Sequence, residues 1–300
     1  MLRKIVLGLL KKMKFLPPSF YVKVYYEYYT GKKLNLQNPV EFNEKIQWLK
    51  VYYKNPILNQ LVDKYEVRSF VEKKIGAQYL NKLIGVYYKA SEVNIDSLPN
   101  SFVIKGAHGY NFNLIVKDKS SLNRLKASYL FRKWLSRNQY YRGGLEWAYK
   151  DVRPKLVAEE FLSELDKEGI DDFKFFCFGG NPKVVQLDVD RGVNHRRCYY
   201  NTQWEQIPIT RKGFKPMDHQ VEPPKNFEKM LDICRTLSKD FPFVRVDLYN
   251  LDGRILFGEM TFYPGDGRND FYPDEYNKIL GDYMVLPTIP KNQKYITGFA

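Results

Sequence analysis

Asp247 and Glu259 are the side chains of this 300-residue sequence whose type and setting most invite chemistry. They fall in FVRVDLYNLDGRILFGEMTFYPGDG, residues 243–267, where two alternating, apolar-rich runs flank the turn signal Leu251-Asp252-Gly253. That pattern predicts a β-hairpin. Two carboxylates sharing one face of an apolar hairpin repel each other and resist burial. A hard divalent cation such as Mg²⁺ relieves both costs, because it takes oxygen ligands and keeps part of its shell for water and phosphates. The other solution is a salt-bridged surface face in which Arg245 neutralises Glu259. The hairpin alone leaves both open.

Whether the carboxylates share a face depends on the turn. A three-residue loop ending in Gly253 supplies the positive φ such loops need. It pairs Asn250 with Arg254, Arg245 with Glu259 and Asp247 with Phe257. One face then carries Val244, Val246, Leu248, Leu256, Gly258 and Met260. The other carries Arg245, Asp247, Tyr249, Ile255, Phe257, Glu259 and Thr261. A slip of one residue would separate Asp247 from Glu259.

Other groups suited to chemistry lie upstream. In FVIKGAHGYNFNLIVKDK, residues 102–119, Lys105 ends a strand before the loop Gly106-Ala107-His108-Gly109. Glycines let backbone amides approach an anion, and the lysine adds a point charge. There is no GK[ST], so this is not a Walker A loop, and many such loops are plain hairpin turns. PKLVAEEFL, residues 154–162, reads as a buried strand ending in Glu159 and Glu160. Such an end can hold a base with its backbone, or be a salt-bridged terminus. FKFFCFGGNPKVVQLDVDR, residues 173–191, reads as a hairpin turned at Gly179-Gly180, with Lys174 on its first strand and Arg191 ending its second.

The elements that position these groups emerge from the chain as a whole. Charged residues at 27% and hydrophobics at 44% fit a soluble globular protein, and no run has the length of a membrane span. A net charge of +14 implies an acidic partner without naming it. Sixteen per cent aromatics, including 24 tyrosines, suit sugars or bases as well as core edges. Cys177, Cys198 and Cys234 form neither a zinc pattern nor a disulfide framework, so a reducing cytoplasm is the simplest setting. Three histidines, widely spaced, argue against a histidine-rich metal site.

Residues 1–14, MLRKIVLGLLKKMK, place Leu2, Ile5, Val6, Leu9, Leu10 and Met13 on one side of a helix, with basic residues largely on the other. The apolar run is short for a secretory signal and no small-residue cleavage site follows. The helix is expected either to lie on an anionic membrane, peripheral to its inner face, or to pack on its own domain. Helical patterns continue through FYVKVYYEYYTGKKL, ending near Gly31, and through the segment after Pro39. Asp63 is placed to cap a helix ending at Gly76. The expected organisation is a helical region over residues 1–78, a smaller α/β lobe over 79–162 and a larger one over 163–300.

The order of these groups resembles the ATP-grasp superfamily, and RVDLYNLDGRILFGEMTFYPG, residues 245–265, is similar to the terminal motif of D-alanine ligases. There Thr261 replaces the usual Asn, which leaves the third metal ligand weaker. From about Pro39 to Leu286 the chain resembles the TupA-like group of bacterial surface-polysaccharide clusters. FNEKIQWLK, LVDKYEVRSFV, IGAQYL, FVIKGAHG, DFKFFCF, RVDLY and GEMTFYPGDG carry that resemblance. It implies an α+β ATP-grasp fold, two α/β lobes sandwiching a nucleotide, with ATP and Mg²⁺ as cofactors. It implies that Lys105 binds α/β-phosphate oxygens, with His108 and Gly109 in the phosphate loop and Lys64 as a further nucleotide contact. Glu159, Glu160 and Leu162 would line the adenine and ribose site. Lys174, Arg191 and Arg245 would serve the reacting phosphoryl group, and Asp247, Glu259 and Thr261 would hold Mg²⁺.

The activity so implied is an ATP-dependent carboxylate–amine ligase working through an acyl-phosphate. Its partners would be an amino acid and an acidic, uronate-containing glycan or sugar nucleotide, with no role for nucleic acid. A kinase is a variant of this reading. A glycosyltransferase of a capsule cluster is the alternative, although its Asp-x-Asp is represented only by Asp188-Val189-Asp190 in mid-strand. A polyanion binder would need no ordered acidic pairs.

Overall fold

The computed structural model describes residues 2–162, 172–189, 195–217 and 219–298. Five helices come first: α1 (Leu2–Leu10), α2 (Pro18–Thr30), α3 (Phe42–Tyr52), α4 (Ile57–Val62) and α5 (Val67–Ile75). Pro18 starts α2 where no amide donor is needed, and Gly31 ends it at φ 73. Asp63 does not cap α5 directly. Its Oδ1 accepts from the Tyr65 and Glu66 amides at 2.8 and 3.2 Å, forming the turn before the helix.

The smaller lobe contains β1 (Leu83–Tyr87), β2 (Phe102–Gly106), β3 (Asn113–Val116), α6 (Arg124–Leu135), α7 (Gln139–Arg142) and β4 (Leu156–Glu160). Its sheet order is β1-β4-β2-β3, antiparallel throughout. Phe102, Ile104, Leu156 and Ala158 pack on Phe131 and Trp134 of α6, forming a separate core.

The larger lobe follows with β5 (Asp172–Phe178), β6 (Asn181–Val189), β7 (Arg196–Tyr200), β8 (Gln206–Ile207), β9 (Thr210–Arg211), α8 (Phe227–Ser238), β10 (Phe243–Leu251), β11 (Arg254–Thr261), β12 (Phe271–Tyr272) and α9 (Glu275–Asp282). Six strands form one sheet in the order β11-β10-β5-β6-β7-β8. The apolar face of α8 lies across β5, β6 and β10. Helices α2–α5 share a hydrophobic core with this larger sheet, so the helical region packs with the larger lobe.

One buried ion pair fastens the helical region to the segment after β11. Gly265, Asp266 and Gly267 all have φ near 60°, and the Asp266 carboxylate is held by Lys50 of α3. Lys50 Nζ also donates to the Asp266 carbonyl at 2.8 Å, and its side chain is fully buried. Removing Lys50 leaves the buried Asp266 carboxylate with Arg268, at 3.1 Å, and still costs much of a buried pair. Lys50→Met is therefore expected to lower stability by ~3–5 kcal/mol. Lys50→Met/Asp266→Asn should recover part of that loss in denaturant titrations.

Candidate active site

The carboxylate hairpin forms by a different route from the one its sequence predicts. Its turn is the two-residue Asp252-Gly253, with φ 54° and 99°, the positive pair of a type I′ turn. Asn250 pairs with Ile255 and Leu248 with Phe257. This shorter loop alone would put Asp247 and Glu259 on opposite faces. A bulge at Gly258 restores them, and Asp247 stands directly across from Glu259, and Arg245 from Thr261. A Cβ on Gly258 would sit 3.0 Å from the Asp247 carbonyl oxygen, so glycine fits this bulge. The expected faces are corrected accordingly. Ile255 and Phe257 lie on the core face, and Leu256 lies on the carboxylate face beside Tyr249.

The site face of the larger sheet carries a charged row, Glu259-Asp247-Lys174-Gln186, across β11, β10, β5 and β6. Asp172 and Asp188 occupy the next row. The Lys174 ammonium pairs with Asp172 and lies 3.4 Å from Asp188 and 3.8 Å from Asp247. Arg197 Nε donates to Asp188 Oδ1 at 2.5 Å, and the Asp188 side chain has no solvent exposure. Burial works against ionisation of Asp188, but Lys174 and Arg197 hold its carboxyl below the usual range. Asp188 is thus locked in ion pairs rather than offered to a sugar nucleotide. Asp190 and Arg191 lie outside the described residues.

Arg245 grips Asp247 through both carboxylate oxygens, at 2.7 and 2.6 Å. It also donates to Glu259 at 3.3 Å and Thr261 Oγ1 at 3.1 Å, and Thr261 donates to Glu259 at 3.1 Å. Burial pushes the Asp247 carboxyl up to about 6 against the pull of Arg245 and Lys174. Burial also acts to raise Glu259, but Lys64, Arg245 and Lys174 outweigh it, leaving that carboxyl below its usual value.

The smaller lobe and the α4–α5 part of the helical region contribute the remaining groups. Lys64 Nζ donates to the Gly109 carbonyl at 2.8 Å and lies 3.8 Å from Glu259, so one ammonium joins the glycine loop to the hairpin. Burial lowers the pKa of Lys64, with Glu259 opposing. Lys105 Nζ donates to Glu159 at 2.7 Å, and Arg68 stands 3.8 Å from the same carboxylate. Glu159 is buried whereas Glu160, pointing to the other face at the strand's end, is exposed. The Glu160 amide and carbonyl already bond Lys82 and Asn81. Leu162 packs with Leu251, Leu256 and Tyr249 in a small apolar cluster on the carboxylate face.

His108 lies in the glycine loop, but its side chain turns inward. Its ring is buried inside the smaller lobe, with Nε2 2.9 Å from the Trp134 carbonyl and Nδ1 3.3 Å from the Lys155 backbone. Burial pushes its pKa below the usual value. Asp172, Arg197 and Arg68 are neighbours of the site that reading the sequence missed, and Asp188 reads there only as part of an Asp-x-Asp rather than as a partner of Lys174. The Asp172-x-Lys174 and Gln186-x-Asp188 alternations carried the only signal for the two aspartates.

Among the described residues no group of three or more His, Cys, Asp or Glu side chains could hold a metal ion by itself. The oxygen set Asp247, Glu259 and Thr261 nevertheless fits Mg²⁺. Its donors are hard, two are carboxylates facing each other, and such an ion completes its shell with water and phosphate. Arg245 occupies the space between these oxygens, so a cation there must share or displace its hydrogen bonds.

A family model described as TupA-like ATPgrasp matches residues 44–285. Among solved structures, the chain is similar to the ATP-grasp ligase PsnB complexed with minimal precursor, Mg and ADP. The identity is 13%, over 80% of this chain and 63% of that one, with a TM-score of 0.40. D-alanine–D-alanine ligase from Bacillus anthracis is 15% identical over 73% of this chain and 64% of its own, at 0.41. The enzyme from Helicobacter pylori is 14% identical over 84% and 68%, also at 0.41. The chain therefore spans a little under two thirds of the PsnB and B. anthracis ligases it matches. No curated protein matches it in sequence.

Proposed function

We propose that this chain, which belongs to the TupA-like ATP-grasp family, is an ATP-dependent ligase that joins a carboxylate to an amine. One observation carries the reading: Asp247 stands directly across from Glu259, and Lys64 links Glu259 to the glycine loop. Acidic, basic and glycine-loop groups from two lobes thereby converge where a polyphosphate can lie between them.

In this reading Lys105 and Lys64 leave Glu159 and Glu259 to take phosphate oxygens, and the Gly106–Gly109 loop closes over them to exclude water. Leu162, Leu256 and Tyr249 form an apolar floor for the base, with Glu159 near the ribose. Asp247, Glu259 and Thr261 would hold Mg²⁺, which when bound neutralises phosphate charge. Lys174 and Arg245 orient the γ-phosphoryl group and stabilise charge developing on it. Arg191, expected to assist them, lies outside the described residues.

The substrate carboxylate oxygen attacks the γ-phosphorus and ADP departs, forming an acyl-phosphate. The amine nitrogen then attacks the acyl carbon, phosphate leaves, and the amine gives up a proton. The +14 charge and abundant tyrosines suit a uronate-containing sugar as the acid, and an amino acid serves as the amine. The setting would be synthesis of a bacterial surface polysaccharide.

Incubation with MgATP and paired panels of uronates, free or nucleotide-linked, and amino acids is expected to release ADP and phosphate only when both partners are present. Phosphate retained on a sugar hydroxyl would identify a kinase instead. No turnover across the panel would count against the ligase.

A further inference from the structure

Helix α1 seats only one of its faces on the protein. Gly8 lets it approach the Tyr28 ring closely, Arg3 bonds Glu27 at 2.5 Å, and Lys11 stands 3.6 Å over the Tyr28 ring. Tyr21 of α2 donates to the Lys11 carbonyl at 3.0 Å. The opposite stripe is bare. Leu2, Ile5, Val6 and Leu9, at helical spacing i, i+3, i+4 and i+7, are 77%, 54%, 45% and 60% exposed. No residue of α1 is buried. The apolar exposure continues into Met13 and Phe15, the latter 82% exposed. Such a row beside a docked helix is not explained by packing on its own domain.

Charge identifies what would cover it. Residues 2–33 hold eight lysines and arginines against the single Glu27, which is half of the chain's net charge of +14. Lys4 on α1 and Lys12 just after it are exposed on the same segment, and lysine stems are long enough to carry their charge toward a surface that the stripe enters. Among the described residues no helix is long and apolar enough to cross a membrane. An exposed apolar stripe on a strongly basic segment fits an interface that is oily below and anionic above, which is the headgroup region of an acidic bilayer.

We propose that α1 and the following segment to Phe15 dock the protein on an anionic lipid surface. Leu2, Ile5, Val6, Leu9 and Phe15 enter the acyl boundary, and Lys4 and Lys12 meet the lipid phosphates. This inference is independent of the ligase reading.

The test is co-sedimentation of the 300-residue chain with phosphatidylcholine vesicles, with and without phosphatidylglycerol. Binding is expected only to the anionic vesicles and should weaken with salt. Ile5→Ser/Leu9→Ser and Lys4→Glu/Lys12→Glu should each reduce it by at least ~10-fold. Because all four side chains are exposed, circular dichroism and melting temperature should be unchanged, separating docking from folding. Failure to bind anionic vesicles would overturn the proposal, as would undiminished binding by Ile5→Ser/Leu9→Ser. Dimers in sedimentation velocity that Ile5→Ser/Leu9→Ser dissolves, without vesicle binding, would assign the stripe to a second copy instead.

Discussion

Asp247→Asn is expected to lower kcat/KM for MgATP turnover by ~10²–10³-fold, the cost of losing one preorganised electrostatic group. The substitution keeps the shape of the side chain but removes its negative charge. Arg245 retains its bonds to Glu259 and Thr261, so the hairpin should stay folded. Steady-state ADP release, read beside thermal melts, separates the two effects. A variant with near wild-type turnover would make Asp247 a structural partner of Arg245. A variant that unfolds would place its main role in the larger sheet.

Lys174→Met is expected to be the most damaging single change in the site. Its ammonium is buried among Asp172, Asp188 and Asp247. Its loss leaves these carboxylates sharing fewer cations, at a cost of ~3–5 kcal/mol. For a chain of this length that corresponds to a fall in Tm of roughly 5–8 °C. The pH dependence has a definite sign. In the native chain Asp188 is held below its usual range. It therefore contributes stability above its unfolded pKa of about 4, and that stability is lost as pH falls through the folded value. Lys174→Met removes the strongest cationic influence on Asp188, raising its folded pKa. The penalty should be largest near neutrality and shrink as pH falls and Asp247 and Asp188, both deprived of Lys174, take up protons. Melting curves across that range check the slope, and a pH-independent loss would point to packing rather than charge.

Much of this architecture is legible in the sequence because its signals are local. The Pro18 and Gly31 boundaries of α2, the alternation of residues 243–261 and the glycine loop after Lys105 each depend on a few neighbouring residues. The shared face of Asp247 and Glu259 was also legible, but for an incomplete reason. The turn is one residue shorter than expected and the bulge at Gly258 compensates, a cancellation that hydrophobic alternation does not reveal. His108 shows the opposite problem. The sequence places His108 in the glycine loop but not the direction of its ring, which the packing of α6 turns toward the Trp134 carbonyl. Arg197 and Arg68 were harder to find still. Arg197 meets Asp188 only through the register of β6 on β7, and Arg68 meets Glu159 only because α5 packs near a strand some ninety residues later.

Calorimetric titration of MgATP into the intact chain, beside Asp247→Asn/Glu259→Gln, tests the central claim most directly. The expected result is saturable binding by the native chain that requires Mg²⁺, with the Mg²⁺-dependent part lost in the folded double variant. No nucleotide binding by the native chain, or equal Mg²⁺-dependent binding by both, would contradict the assignment of the hairpin carboxylates to a nucleotide-bound cation.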